Sequence, residues 1–121
     1  MTGVQTCALP IYAGFRAANP GAIAEARRSL LRTPAAGYVA TCHAVAAVDW
    51  LDRLPQVACP TLVIAGKLDV GAPVAFSQAI AQRIAGAKLV VFDEASHLSV
   101  AEQPAQFKQA LSEFLAGLPA V

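Results

Sequence analysis

Between Tyr12 and Arg53 apolar residues recur every three or four positions, and beyond Pro60 they bunch into two continuous runs, residues 62–65 and 89–92. The first pattern has the period of amphipathic helices. The second, with β-branched residues at its centre, is that of parallel strands covered on both faces. Asn19 ahead of Pro20 is an N-cap residue type before a proline at the first helical position, and Ile23, Ala26, Leu30 and Leu31 follow at helical spacing. Thr33 and Pro34 open the next helix in the same way. Its run predicts one broad face of Tyr38, Val39, Cys42, Val45, Ala46 and Trp50, broken by Asp49, Asp52, Arg53 and Pro55. After the first strand, a loop over 66–71 leads to a helix opened by Pro73, carrying Phe76, Ile80 and Ile84 and closed by Gly86. The second strand leads through a loop over 93–99 to a last helix from Pro104, with Phe107, Leu111, Phe114 and Leu115 facing inward.

The fold class expected is therefore α/β: a helical segment over 12–53, then a βαβα unit with two parallel strands over 54–121. Two helices with no strand between them, set before an alternating unit, have the character of a cap or lid. Two parallel strands are a small sheet, because such sheets have both faces covered and several neighbours in the ladder. The unit expects more strands, and an uncovered first strand would be an aggregation hazard.

Composition narrows the partners. Of 121 residues, 56% are hydrophobic and 14% charged, so the chain must bury much of itself against something. Nine Lys and Arg, scattered apart from Arg27 and Arg28, and a net charge of +1 make no basic stripe for nucleic acid. No apolar run reaches the roughly 20 residues of a bilayer span, which points to a cytoplasmic protein and no membrane partner. Cys7, Cys42 and Cys59 form no C-x-x-C pair, so reduced thiols are expected, with no metal and no cofactor. Residues 2–11, TGVQTCALPI, resemble the translation of a sequencing-library adaptor. They have no helical or strand period and no positive n-region, so they are set apart from the fold as a scar, and the natural chain is expected to begin mid-protein near Tyr12.

The chemistry lies at the strand ends. Asp69 follows the first run and His97 the second, so both are expected at the carboxyl edge of the sheet, where open α/β sheets bind ligands. An acid and then a histidine on successive strand ends is the back half of a charge-assisted triad. Asp69, flanked by Gly66 and Gly71, is also a natural turn former. Asp93 and Glu94 are nearer His97 in sequence, but adjacency does not aim them at the ring, and they read as solvated. Glu102, beside Pro104 at a helix start, reads as a capping carboxylate. Arg32, His43 and Trp50 are the groups of the helical segment that could meet an anionic substrate, with ordinary surface or core packing the stronger reading for each.

The loops GKLDVGAP (66–73) and EASHLSVAEQP (94–104) resemble the acid and histidine loops of the α/β-hydrolase superfamily. With GYVATC (37–42) in the helical segment, the wording is similar to the 3-oxoadipate enol-lactonase branch, over about residues 12–118. The resemblance implies the C-terminal part of an α/β hydrolase, with Asp69 and His97 catalytic, no cofactor, and a small-molecule lactone or ester substrate of the β-ketoadipate pathway. One departure is large. No G-x-S-x-G elbow occurs, and Ser29, Ser77, Ser96, Ser99 and Ser112 all lack that setting. The nucleophile and the early oxyanion loop would belong to a missing N-terminal half of the fold, and the chain alone would be inactive. Other activities on the same loops, an arylesterase, a cofactor-free haloperoxidase or a carbon–carbon bond hydrolase, stay open, as does a non-catalytic binding module.

Overall fold

Pro20 and Pro104 stand in the first turn of their helices, where a ring with no N–H leaves no helical hydrogen bond unmade, whereas Pro34 and Pro73 stand one residue ahead of theirs, as extended N-cap residues. The computed structural model describes residues 11–119. In chain order it holds α1 (Ala13–Ala18), α2 (Pro20–Arg32), α3 (Ala35–Ala46), a 3₁₀ turn (Leu51–Gln56), β1 (Leu62–Gly66), α4 (Val74–Arg83), β2 (Lys88–Phe92), α5 (Ser99–Glu102) and α6 (Pro104–Ala116). The architecture is α/β, as the period change predicts.

β1 and β2 pair in parallel, with Leu62 opposite Lys88 and Gly66 opposite Phe92. α4 makes the connection and packs on both strands. Its exit is a turn at Gly86, whose φ of 72° lies in the left-handed region that residues with a Cβ rarely enter. The buried apolar residues are Ile11, Ala65, Ile84, Phe92 and Ala95, so the best-covered ground lies around the carboxyl ends of the strands. Cys42 and Cys59 are free thiols on the surface; residues 1–10, with Cys7, lie outside the described residues. Ile11, from the adaptor-like stretch, lies within them and is buried.

Several expectations change. α3 ends at Ala46 and does not run on to Trp50: Ala47 and Val48 N–H reach back three residues, to Ala44 and Val45 carbonyls, and the tightened turn ends the α-helix. The stretch expected as a mere break then winds into the 3₁₀ turn. A short helix, α5, stands where only the approach to Pro104 was foreseen. The faces predicted to turn inward are open in places: Phe76, Leu111 and Leu115 are exposed, and so are Tyr38, Val39, Val45 and Trp50 on the helical segment. β1 and β2 are half-covered along most of their length, because a two-stranded sheet with little packed on it cannot bury both faces.

Candidate active site

The carboxyl ends of β1 and β2 set the site, and backbone bonds weld their loops together. As the chain leaves β1, Lys67 N–H donates to the Phe92 carbonyl at 2.9 Å and Leu68 N–H to the Ala95 carbonyl at 2.9 Å. The loop after β2 passes so close over Gly66 that a Cβ there would meet the Ala95 carbonyl oxygen at 2.6 Å and its carbon at 2.7 Å. Only glycine allows that approach. Above it, Lys67 Nζ pairs with Asp93 Oδ1 at 2.8 Å, an exposed ion pair across the two loops that raises the Lys67 pKa through the Asp93 hydrogen bond and charge.

Within this frame the two side chains singled out in the sequence meet. His97 Nδ1 lies 2.9 Å from Asp69 Oδ2. Asp69 Oδ1 is taken by its own turn, accepting the Gly71 N–H at 2.8 Å and the Ala72 N–H at 2.9 Å. Asp69 thus closes its turn with one oxygen and meets the His97 ring with the other. Burial is the largest single influence on the Asp69 carboxyl and raises its pKa. The hydrogen bonds from Ala72 N–H, His97 and Gly71 N–H together outweigh it, so the group sits below its ordinary 3.8. An ionised carboxylate can only accept, so Nδ1 carries a proton, and Nε2 is the ring nitrogen turned away from Asp69. The Asp69 side chain is 7% exposed and that of His97 55%, the arrangement of a held acid and an accessible imidazole.

Other candidates lie elsewhere. Asp93 is occupied by Lys67, and Glu94 is exposed. Arg32, His43 and Trp50 are exposed on the helical segment, with the Arg53 guanidinium 4.7 Å from the Trp50 ring centroid as a cation–π contact. Glu102 needs correction. It does not cap α6, whose N-cap residue Gln103 and first turn receive no side-chain bond. It is buried instead, and its oxygens accept the Tyr12 N–H at 2.5 Å and the Ser96 N–H at 2.6 Å. Sequence reasoning missed this because a carboxylate near a helix start is usually solvated. Among the described residues no three His, Cys, Asp or Glu side chains gather as a metal would require.

Residues 32–118 match the family described as TAP-like protein, one of the α/β-hydrolase families. The chain belongs to the α/β hydrolases. Among curated relatives of this chain, 3-oxoadipate enol-lactonase 1 of Acinetobacter baylyi is 40% identical over 88 residues, 73% of this chain and 33% of that protein. 3-Oxoadipate enol-lactonase 2 of the same organism is 36% identical over 98 residues, 81% of this chain and 36% of that one. Among solved structures, the enol-lactonase of Burkholderia xenovorans LB400 superposes with a TM-score of 0.88 at 32% identity, over 93% of this chain and 43% of that one. A thermophilic esterase from Thermogutta terrifontis gives 0.84 at 31% identity, over 93% and 42%. The chain spans about a third of the length of these curated relatives and less than half of the solved chains. No helix among the described residues is long and apolar enough to cross a membrane.

Proposed function

We propose that this hydrolase chain carries the acid and base of a serine-type carboxylic-ester hydrolase acting on an enol-lactone of the 3-oxoadipate type. The observation that carries the reading is the 2.9 Å contact between His97 Nδ1 and Asp69 Oδ2, on adjacent strand ends and with Nε2 free of any partner among the described residues. The lactonase relatives favour a cyclic ester over other acyl substrates.

In this mechanism Asp69 fixes the imidazole tautomer and stabilises the imidazolium. His97 Nε2 takes the proton of a serine hydroxyl as that oxygen attacks the lactone carbonyl, then returns it to the departing enol oxygen. The ring opens to an acyl-enzyme. His97 next draws a proton from water as it attacks the acyl carbon and passes that proton to the departing serine oxygen, and the enol acid released tautomerises to the 3-oxo acid. No cofactor takes part. The serine and most of the oxyanion hole are assigned to the portion of the fold that the relatives have and this chain does not span, with the helical segment over 12–53 as the cap above the pocket. The enzyme is placed in the cytoplasm, in the β-ketoadipate pathway.

Loss of the nucleophile alone removes about six orders of magnitude in a serine hydrolase. The chain by itself should therefore give background rates with an activated ester, and clear turnover abolished by His97→Ala would overturn that part. The reading as a whole is tested on the full-length gene product, assayed with an enol-lactone and with simple aryl esters. Lactone turnover that His97→Ala and Asp69→Asn suppress is expected. Turnover of aryl esters alone would move it to the esterases, and activity that survives His97→Ala would refute the assignment of the base.

A further inference from the structure

Glu102 is a buried carboxylate in a chain with few buried side chains, 6% exposed, and neither of its bonds goes to a cation. A charge in such a place is costly unless both oxygens are satisfied, and here each receives one backbone amide. One amide belongs to Ser96, the residue before His97. The other belongs to Tyr12, 90 positions away and immediately ahead of α1. From Ser96 the bonding continues, because the Ser96 hydroxyl accepts the His97 N–H at 2.6 Å, and His97 Nδ1 then meets Asp69.

We propose that Glu102 is a positioning residue for the histidine: its carboxylate bridges the Ser96 amide of the histidine loop and the Tyr12 amide at the entry to the helical segment, and so holds the His97 ring against Asp69. The proposal rests on the acid–base reading above and adds a residue to it. The logic is mechanical. The His97 side chain is more than half exposed, and Asp69 is the one partner of its ring among the described residues, so its ring direction depends on where the backbone at 95–97 is held. One side of that backbone is fixed by the Ala95 carbonyl, which accepts the Leu68 N–H from the acid loop. Glu102 supplies the other fixing point, and through Tyr12 it makes the histidine loop sense the placement of the helical segment.

Four variants of the full-length gene product, followed by nuclear magnetic resonance, test this: Glu102→Gln, Tyr12→Pro, Tyr12→Ala and Asp69→Asn. Glu102→Gln keeps volume and shape but turns one acceptor into a donor facing an N–H. Tyr12→Pro deletes the distal amide together with the ring, at a residue whose φ of −52° suits proline, and Tyr12→Ala is the control that loses the ring and keeps the N–H. In the unaltered chain the His97 Nδ1 proton should give a protected downfield resonance that Asp69→Asn abolishes. Its absence there would defeat the acid–base pairing and the proposal together. Glu102→Gln should broaden or remove that resonance and speed Ser96 amide exchange about tenfold or more. Tyr12→Pro should speed Ser96 exchange as well, and Tyr12→Ala should leave it unchanged. If both Glu102→Gln and Tyr12→Pro keep the His97 resonance and Ser96 protection, Glu102 does not position the histidine, although the pairing with Asp69 stands. Should Glu102→Gln fail to fold, the contrast between Tyr12→Pro and Tyr12→Ala decides the matter alone.

Discussion

Asp69 divides its two oxygens between a turn and an imidazole, and that division has consequences that can be measured at the level of one residue. Three hydrogen bonds favour its charged form against the burial that opposes it, so its folded pKa is lowered below 3.8. A depressed carboxyl contributes stability that is fully present above its unfolded value and is lost as pH falls through the folded one. Acidification through 4 should therefore leave the Asp69 turn intact. A carbon-detected titration of the carboxyl should place its midpoint below 3.8, and a midpoint at or above the ordinary value would mean that the Gly71 and Ala72 bonds are not formed in solution. Replacement by asparagine probes the other oxygen. The asparagine side chain can still accept the turn amides through its carbonyl, but its NH₂ then faces Nδ1 and demands the opposite tautomer. In the complete enzyme Asp69→Asn should lower kcat by about four orders of magnitude with little change in thermal stability, a separation read from kinetics and unfolding on one preparation.

At the level of elements, the crossing of the histidine loop over the end of β1 is the tightest contact in the site. Gly66→Ala places a methyl against the Ala95 carbonyl, which is backbone and cannot swing aside as a side chain would. The variant should lose about 1–3 kcal/mol in denaturant unfolding and weaken the His97 contact with Asp69, whereas a change at an open glycine such as Gly21 should do neither. Gly86 is a different case: space is open around it, but its φ of 72° disfavours any Cβ, so Gly86→Ala should cost about 1–2 kcal/mol and leave the His97–Asp69 contact untouched. These two glycines also mark how far the sequence could be read. Gly86 was legible as a break in the chain after the helix, since that signal is local, but the helix ends at Arg83, with Ile84 outside it, and Gly86 forms the turn beyond. Gly66 could be read only as a loop residue, because what excludes a side chain there is the distant backbone of Ala95 and Ser96, and no local pattern records it. The strands, their parallel pairing and the meeting of Asp69 with His97 were legible because alternation of strand and helix fixes which ends lie side by side. Glu102 was misread for the opposite reason: its neighbours suggest a helix cap, and only the fold brings the Tyr12 amide across to it.

For the molecule as a whole, burial and exposure are out of balance. Among the described residues the buried apolar set is small, with no large side chain fully enclosed, while Val39, Val45, Trp50, Phe76 and Leu115 each show half or more of their surface. The sheet has two strands, so among the described residues each strand has one side of its hydrogen-bonding ladder without a strand partner. Apolar faces and open strand edges of this kind are covered in a larger α/β sheet and, left uncovered, drive association. The chain on its own should therefore bind a hydrophobic dye, unfold over a broad denaturant range and grow in mass with concentration in light scattering. The same residues within a protein carrying the remaining strands should show a sharp transition and no dye binding, because the new strands would occupy the β1 edge and the added layer would cover both faces. A monomeric chain that stays free of dye and unfolds cooperatively at micromolar concentration would mean that these surfaces close on themselves. In that case the two-stranded sheet would need no further strands in order to fold.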